Sequence, residues 1–556
     1  MSHKNTRGED ANMEDIKQKI ITELEEKLEI EVDENDIEIP DAEHGDFAYP
    51  VMKAAGQKGR NPRELAEELT GEIEVEGVEK IEVAGPGYLN FHLDKSLYAE
   101  EIQARLEGDN MGVSQKDGKV KIDFSHPNLA KPMHIGHMRN NCLGDSLQRI
   151  MRFVGYDVVS DNYIGDWGTK HGQVIFAFKK WGSMEEFEEN PMDHMYELYV
   201  KMHDEADEED KEKAREWSKK IEEGDQEALR LWKMFREATI KHNEKEYERI
   251  DIEFDRVTGE STVADEAEEV IEEGLDKGIF EKDDDGSVYV EFEDEKYPNA
   301  VIQRDDGSTL YLTRDIANLR RLKREGFDQN LYVVANEQDL HFQQLFEIGK
   351  KFGVEGMKNE HISYGMVHLQ ESSISSSKGN IIRLSDLMDK AVEKAVESSE
   401  RDVENSEEIG IGAIKYANLA VSRPKDIEFD WDRVLDFEGE SGPYLQYSNV
   451  RAKSILEESN KAGEMIGKPQ KKEYKLLKKL SRFPEKVENA SEQREPAKIA
   501  NYLTHLSEEF NSFYHSCQVT GINEQTEKRR VKIVELFVKV TDQGLELLGI
   551  EPLREM

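Results

Sequence analysis

KIDFSHPNLAKPMHIGHMRNNCLGDSLQRIMR, residues 121–152, is the stretch whose reading decides the fold. Residues 119–124 alternate, with Val120, Ile122 and Phe124 apolar, and this predicts a strand. A Pro-bounded loop follows. From Ile135 onward, Ile135, Met138, Cys142, Leu143, Leu147 and Ile150 recur with helical spacing. Strand, tight loop and helix in that order place His134, Gly136 and His137 at or just before a helix N-terminus, where unpaired N–H groups and the helix dipole favour an anion. This is a place to put phosphate. Gly136 leaves room for a flat ring against the backbone, and two imidazoles three residues apart present N–H donors on one side of the helix start. Donors held where charge develops on a phosphoryl group stabilise its transition state without proton transfer. Taken alone, such histidines are as well explained by capping or packing; what surrounds them decides.

The chain has 556 residues, enough for about three or four domains. It contains no apolar run of about eighteen residues, and its N-terminal MSHKNTRGEDANMED is polar, so a cytoplasmic protein with no membrane partner is expected. Cys142 and Cys517 read as reduced core thiols that cannot make a four-ligand zinc site, and no metal site is expected. The formal net charge of −45 is unusual for a protein that grips a polyanion. The acids are spread along the chain, in EELTGEIEVEGVEKIEVAG, HDEADEEDKEK, EKDDDGS and ESSERDVENSEE. That spread suits a broadly solvated surface with a minority of basic residues gathered on one working face. A halophilic source is the corresponding expectation.

The stretch 123–139 (DFSHPNLAKPMHIGHMR) is followed by SDNYIGDWGTKHG (160–172), YLTRDIA (311–317), EQDLHFQQLF (337–346), SGPYLQY (441–447) and FNSFYHSC (510–517), and preceded by GPGYLNFHL (85–93). This ordered set resembles the class I aminoacyl-tRNA synthetases and, within them, the arginyl-tRNA synthetases, over nearly the whole chain. With the acidic composition it suggests a member from a halophilic archaeon. The resemblance implies an α/β fold: a class I Rossmann-type parallel-sheet catalytic domain with an insertion, an N-terminal α+β domain and a C-terminal α-helical bundle. It also implies an enzyme that activates L-arginine with ATP, as its Mg²⁺ complex and without a tightly bound cofactor, and passes it to tRNA(Arg). A monomer is expected because the family mostly is one. Transfer first to the 2′-hydroxyl, and dependence of activation on bound tRNA, are likewise only implied.

Read along the chain, residues 1–110 form the N-terminal domain, with helices over 16–28 and 63–69 and strands over 80–83 and 88–93. The resemblance makes it the module touching the tRNA elbow, with Tyr88 and Asn90 at a D-loop base; Tyr88 could instead be a packing aromatic. The catalytic domain spans 111–408. A second strand is expected over 157–160, then a polar loop over 161–168, an insertion over about 170–300, and a turn, short strand and helix over 306–322. An apolar strand over 331–335 and a helix over 340–352 follow. Residues 409–556 read as the anticodon-binding bundle, with helices over 411–419, 441–458, 474–490, 496–514 and 528–548. Tyr447 and Arg451 share a helix face suited to splayed bases, while Tyr514 and Met556 match family positions at the anticodon loop; core packing explains Tyr514 nearly as well, since FNSFY supplies apolar neighbours.

The lysine loop that closes over triphosphate in class I enzymes corresponds here to Ser373-Ile374-Ser375-Ser376-Ser377, so its two usual lysines are missing. Lys378 stands nearby, and Lys131 matches an upstream lysine that the resemblance implies takes over part of the charge stabilisation. By the same resemblance His134, Gly136, His137 and Lys378 hold ATP, and His134, His137, Lys131 and Lys378 stabilise charge without acting as nucleophiles. Asp315 with Tyr311 is assigned to the guanidinium, whose planar fork asks for carboxylates; Asp123, Asn128, His134 and Gln344 are assigned to the amino-acid end. Rival readings are a class I synthetase for glutamate, glutamine or lysine, a plain nucleotidyltransferase, and a non-catalytic RNA-binding relative. Paired acids at Asp123 and Asp315 speak against glutamate; lysine is harder to exclude on charge.

Overall fold

Five parallel strands carry the site, in the order Lys358–Tyr364, Gln329–Ala335, Lys119–Asp123, Asp157–Ile164 and Arg256–Gly259. The structure, a computed structural model, describes residues 13–40, 44–292, 296–369, 382–398, 405–436, 439–459 and 461–556. Lys119–Asp123 is the central strand. Its Val120 and Ile122 are fully buried on one face, while Lys121 and Asp123 are buried on the other, where they pair at 2.6 Å. Residues 331–335 lie in the neighbouring strand Gln329–Ala335, an interior strand as their apolar composition predicts, paired along its whole length with Lys358–Tyr364 and as far as Tyr332 with Lys119–Asp123.

The helix Ile135–Phe153 packs across that sheet. Met138, Cys142, Leu143, Leu147 and Ile150 are each at most 2% exposed, and burial of such side chains contributes roughly 1.5–3 kcal/mol apiece. Gly144 lets it approach closely, since a Cβ there would overlap the Phe124 ring. The other side of the helix is covered too: Ser146 Oγ donates to Leu547 O at 2.8 Å, and the buried Lys415 ammonium donates to Gly549 O. Catalytic sheet and C-terminal helices therefore share this one helix as common core.

Several expected boundaries move. The second strand runs to Ile164, through most of the polar loop, because its polar side chains find buried partners: Asp161 accepts from Arg256 (3.1 Å) and Thr258 (2.8 Å), and Asn162 donates to Tyr247 Oη (3.0 Å). The expected insertion contributes the edge strand Arg256–Gly259 to the main sheet. Ala300–Gln303 instead joins Glu281–Lys282 and Val288–Val290 in a separate antiparallel sheet, and only an isolated bridge at Thr309 stands where a strand was expected before Tyr311. The expected helix over 474–490 is two, Lys471–Leu480 and Phe483–Gln493; Pro484 has no N–H to continue the first and starts the second.

The N-terminal sheet has a third strand, Phe47–Pro50, besides Val78–Ala84 and Tyr88–Leu93. It docks on the bundle through Asp46, which accepts from Tyr474 Oη at 2.7 Å and pairs with Lys478 at 2.9 Å. The bundle's other long helices, among the described residues, are Ser406–Leu419, Gly442–Glu458, Ala497–Ser516 and Glu524–Leu547. Glu473, fully buried, ties two of its helices through Arg529 (2.8 Å) and Arg530 (2.7 Å). Cys142 and Cys517 are buried free thiols. Among the described residues no helix is long and apolar enough to cross a membrane.

Candidate active site

Between the central strand and its helix the backbone is under strain: Ser125, His126 and Ala130, none of them glycine, take positive φ of 79°, 52° and 58°. Side chains hold the loop there. Ser125 Oγ meets Tyr247 Oη at 2.6 Å, its N–H donates to Asn140 Oδ1, and His126 Nε2 lies 2.7 Å from Asp123 Oδ1. The helix then opens on a reciprocal cap made of the two imidazoles. His134 Nδ1 accepts the Gly136 N–H (3.1 Å), and His137 Nδ1 accepts the His134 N–H (3.2 Å). With both Nδ1 atoms accepting, each neutral ring carries its proton on Nε2. The rings lie 4.1 Å apart at 66°.

Both rings are held neutral. Burial, then the neighbouring His134 and His126, push His137 down to about 3; burial and then Lys131 lower His134. The capping that the sequence left open is thus present, and it uses Nδ1 of each ring, leaving the N–H on Nε2. Gly136 has a more local reason than an incoming ring, because a Cβ there would lie 3.0 Å from His134's own Cε1. Lys131 rests its ammonium 4.1 Å from the ring centre of Tyr199, on the helix Pro191–Glu205. The segment after residue 381 pairs with the histidine loop: Ile135 N–H donates to Ile382 O (3.2 Å) and Leu384 N–H to Met133 O (2.9 Å). Lys378 and Ser373–Ser377 lie outside the described residues.

Beside this helix start, at the carboxyl ends of the central strands, is a cavity of about 330 Å³. Of the six residues expected to hold arginine, Asp123, Asn128, Tyr311 and Asp315 line it together, whereas His134 and Gln344 do not. Asp123 is 1% exposed; burial alone would raise its carboxyl, but Lys121 and then His126 hold it at about 2. Asp315 meets His341 at 2.8 Å, and Tyr311, 52% exposed, forms the rim. His126 links the two parts of the site, since it lines the cavity, pairs with Asp123 and acts electrostatically on His137.

Gln344 is a correction. Its amide donates to Pro298 O at 2.8 Å and it is not part of the cavity wall, whereas Gln338, on the turn before that helix, is. Gln344 lies a turn beyond His341, which does line the cavity, and its amide is committed to Pro298 instead. Sequence reasoning also missed Glu260, 6% exposed, which lines the cavity and pairs with Arg314 at 3.0 Å. Burial, opposed by Arg314, pushes Glu260 up to about 8. Nothing in its local context, VTGEST, marks it; the neighbour Arg314, one residue before Asp315, is the only hint. Among the described residues no group of acid, histidine or cysteine side chains is arranged to hold a metal ion.

Three family models divide the chain: "Arginyl tRNA synthetase N terminal domain" over residues 14–93, "tRNA synthetases class I (R), catalytic domain" over 101–431, and "DALR anticodon binding domain" over 445–556. The chain belongs to the class I arginyl-tRNA synthetases. Arginine–tRNA ligases of Halothermothrix orenii and Alkaliphilus metalliredigens are each 38% identical to it, the first over 98% of this chain and all of its own length, the second over 93% and 94%. In fold it is similar to the Thermus thermophilus arginyl-tRNA synthetase (TM-score 0.78, 22% identity, 97% and 99% of the two chains) and to that of Plasmodium falciparum (0.79, 24%, 98% and 99%).

In this arginyl-tRNA synthetase the expected RNA-reading residues fall into two groups. Tyr447 and Tyr514, 41% and 40% exposed, flank one guanidinium, with Arg451 at 4.6 Å and 5.2 Å from their ring centres; Asn511 accepts from Arg451 at 2.6 Å. That is an open platform, and Tyr514 is not a core aromatic. On the N-terminal sheet Tyr88 is half-buried, but Asn90 is 4% exposed, so its amide is not presented at the surface as the expectation required. Met556 packs partly buried against the core, its chain end tied down where Asn405 donates to Glu555 O at 2.9 Å.

Proposed function

We propose that this arginine–tRNA ligase binds the arginine side chain between Asp315, Glu260 and Tyr311, with Asp123 and Asn128 at the α-amino end and the carboxylate directed toward His134 and His137. ATP, entering as its Mg²⁺ complex, lays its α-phosphate on the helix start, where Gly136 and the two Nε2–H groups supply donors. Those donors are preorganised and neutral, so they cost no proton transfer as charge grows on the phosphorus. Lys131 leaves Tyr199 to add positive charge, and Lys378 supplies charge to the triphosphate. Attack by the arginine carboxylate gives arginyl-adenylate and pyrophosphate, after which the terminal ribose of tRNA(Arg) takes the arginyl group. Tyr88, Tyr447, Arg451, Tyr514 and Met556 are the proposed tRNA contacts; Asn90, buried on the central strand of its sheet, is left out of that set.

The observation that carries this reading is a carboxylate-lined cavity joined through His126 to a neutral, donor-bearing helix start. Arginine-dependent ATP–pyrophosphate exchange, run with and without tRNA and against lysine, glutamate and glutamine, tests it. Exchange with no amino acid, or with lysine as readily as arginine, would favour the rival enzymes, and none at all a binding protein. We further propose the domain division 1–110, 111–408 and 409–556, a monomer, and a cytoplasmic location. The acidic composition supports a halophilic setting, testable as loss of activity on dialysis to low KCl; the bacterial relatives named above give an archaeal origin no support.

A further inference from the structure

The carboxyl end of the strand Asp157–Ile164 brings one more side chain to the cavity. Asp161 pairs in register with Asp123, and strand alternation therefore puts Tyr163, two residues on, on the same face and nearer the mouth. Tyr163 lines the cavity, is 8% exposed, and its hydroxyl has no hydrogen-bond partner among the described residues. Asp315, Glu260 and Asp123 all act electrostatically on that hydroxyl, Asp315 most strongly among them. Packing does not explain it. Phenylalanine would fill the same space, and Lys121, 5.8 Å from the ring centre, engages the ring and not the oxygen. A dry phenol oxygen among carboxylates is costly to keep and is normally paired. It persists where a ligand supplies the partner.

We infer that Tyr163 is a specificity-determining residue for the guanidinium, its oxygen accepting a substrate N–H when arginine fills the cavity; this rests on the reading of the cavity proposed above. The count of acceptors supports it. Asp315 already gives Oδ2 to His341, and Glu260 gives Oε2 to Arg314. A guanidinium brings five donors in a fixed plane, more than the two remaining carboxylate oxygens serve alone. Lysine presents its three donors from one compact nitrogen, without the planar fork that reaches several spread acceptors at once, so it pairs the phenol oxygen less well, and a site with a poorly paired buried polar group disfavours such an analogue.

The test is Tyr163→Phe in the full chain, assayed by ATP–pyrophosphate exchange with tRNA present at varied arginine, ATP and lysine, alongside thermal unfolding without arginine. Expected are a fall of about tenfold or more in kcat/KM for arginine, an ATP KM within about twofold of the parent, and a parallel loss of preference over lysine. The unfolding temperature without arginine stays level or rises, because an unpaired hydroxyl has been removed. Unchanged arginine kinetics overturns the inference, and so does a lowered unfolding temperature with equal losses for arginine and ATP. A parent enzyme that fails to exchange with arginine would instead overturn the reading of the cavity, so the two failures are distinguishable.

Discussion

His341 Nε2 lies 2.8 Å from Asp315 Oδ2, joining the helix Asp339–Lys351 to the helix Tyr311–Arg324 across the cavity wall. The pair fixes one carboxylate oxygen, and in the proposed reading the other is left for substrate. Asp315→Asn should therefore raise the arginine KM far more than the ATP KM. Parallel rises in both would show the guanidinium subsite to be elsewhere.

The same pair makes a pH prediction. Burial lowers His341, but its hydrogen bond and charge interaction with Asp315 carry it above the ordinary value of about 6.5. A histidine raised on folding adds stability that is complete below about pH 6.5 and is lost as pH rises through its folded value. The difference in unfolding temperature between the parent and His341→Gln should be largest in mild acid and shrink through neutrality. A constant difference from pH 5 to 9 would count against a charged pair.

His137→Ala should depress adenylate formation by about a hundredfold or more with little change in tRNA binding, the usual worth of a transition-state donor. Because His137 is held near 3, no inflection from it should enter the rate between pH 5 and 8. The depressed value also means that the unfolded chain takes up a proton that the native site refuses, so stability falls as pH drops below about 6.5 toward 3. Unchanged turnover in the variant would remove the donor role.

Glu260, raised to about 8 by burial, holds its proton in the empty cavity near pH 7, and an arriving guanidinium favours the ionised form. Arginine binding at pH 7 should release protons, measured as a dependence of calorimetric heat on buffer ionisation. Glu260→Gln should abolish that release and weaken arginine binding. For stability the sign is reversed from that of a paired acid: the unfolded carboxyl ionises at about 4.3 while the native one does not, so stability declines from about pH 4.3 to 8. The Gln variant should flatten this decline.

Arg451→Lys keeps the charge but loses the planar cation between Tyr447 and Tyr514. The expected result is a drop of about tenfold in kcat/KM for tRNA, with arginine and ATP KM values preserved at saturating tRNA. An unaltered tRNA response would reduce the cluster to a surface contact.

Gly144→Ala tests the seating of the histidine helix. The added methyl meets the Phe124 ring, so a destabilisation of about 1–3 kcal/mol is expected, read as a lowered denaturant midpoint with unchanged slope. A neutral result would mean that strand and helix can move apart at no cost.

Local order was legible in residues 119–153, because alternation, a Pro-bounded turn and three-four spacing are imposed by neighbours along the chain. The spacing of Tyr447 and Arg451 was legible for the same reason. The polar run Asp161–Asn162–Tyr163 was misread as loop since its partners, Arg256, Thr258 and Tyr247, lie some 85 to 97 residues away. Gln338 and Gln344 both sit in EQDLHFQQLF, and choosing between them required the direction of a helix face relative to a cavity not yet located.

From its residue order alone this chain declared a helix start bearing two histidines, a parallel sheet, a helical C-terminal region and its family. Folding decided which groups meet and in what state. It brought Glu260 from a remote turn to Asp315, set the histidine tautomers through a reciprocal cap, and rested Lys131 on Tyr199. Periodicity is a property of consecutive residues, whereas burial, proton affinity and the facing of a side chain depend on atoms contributed by distant segments.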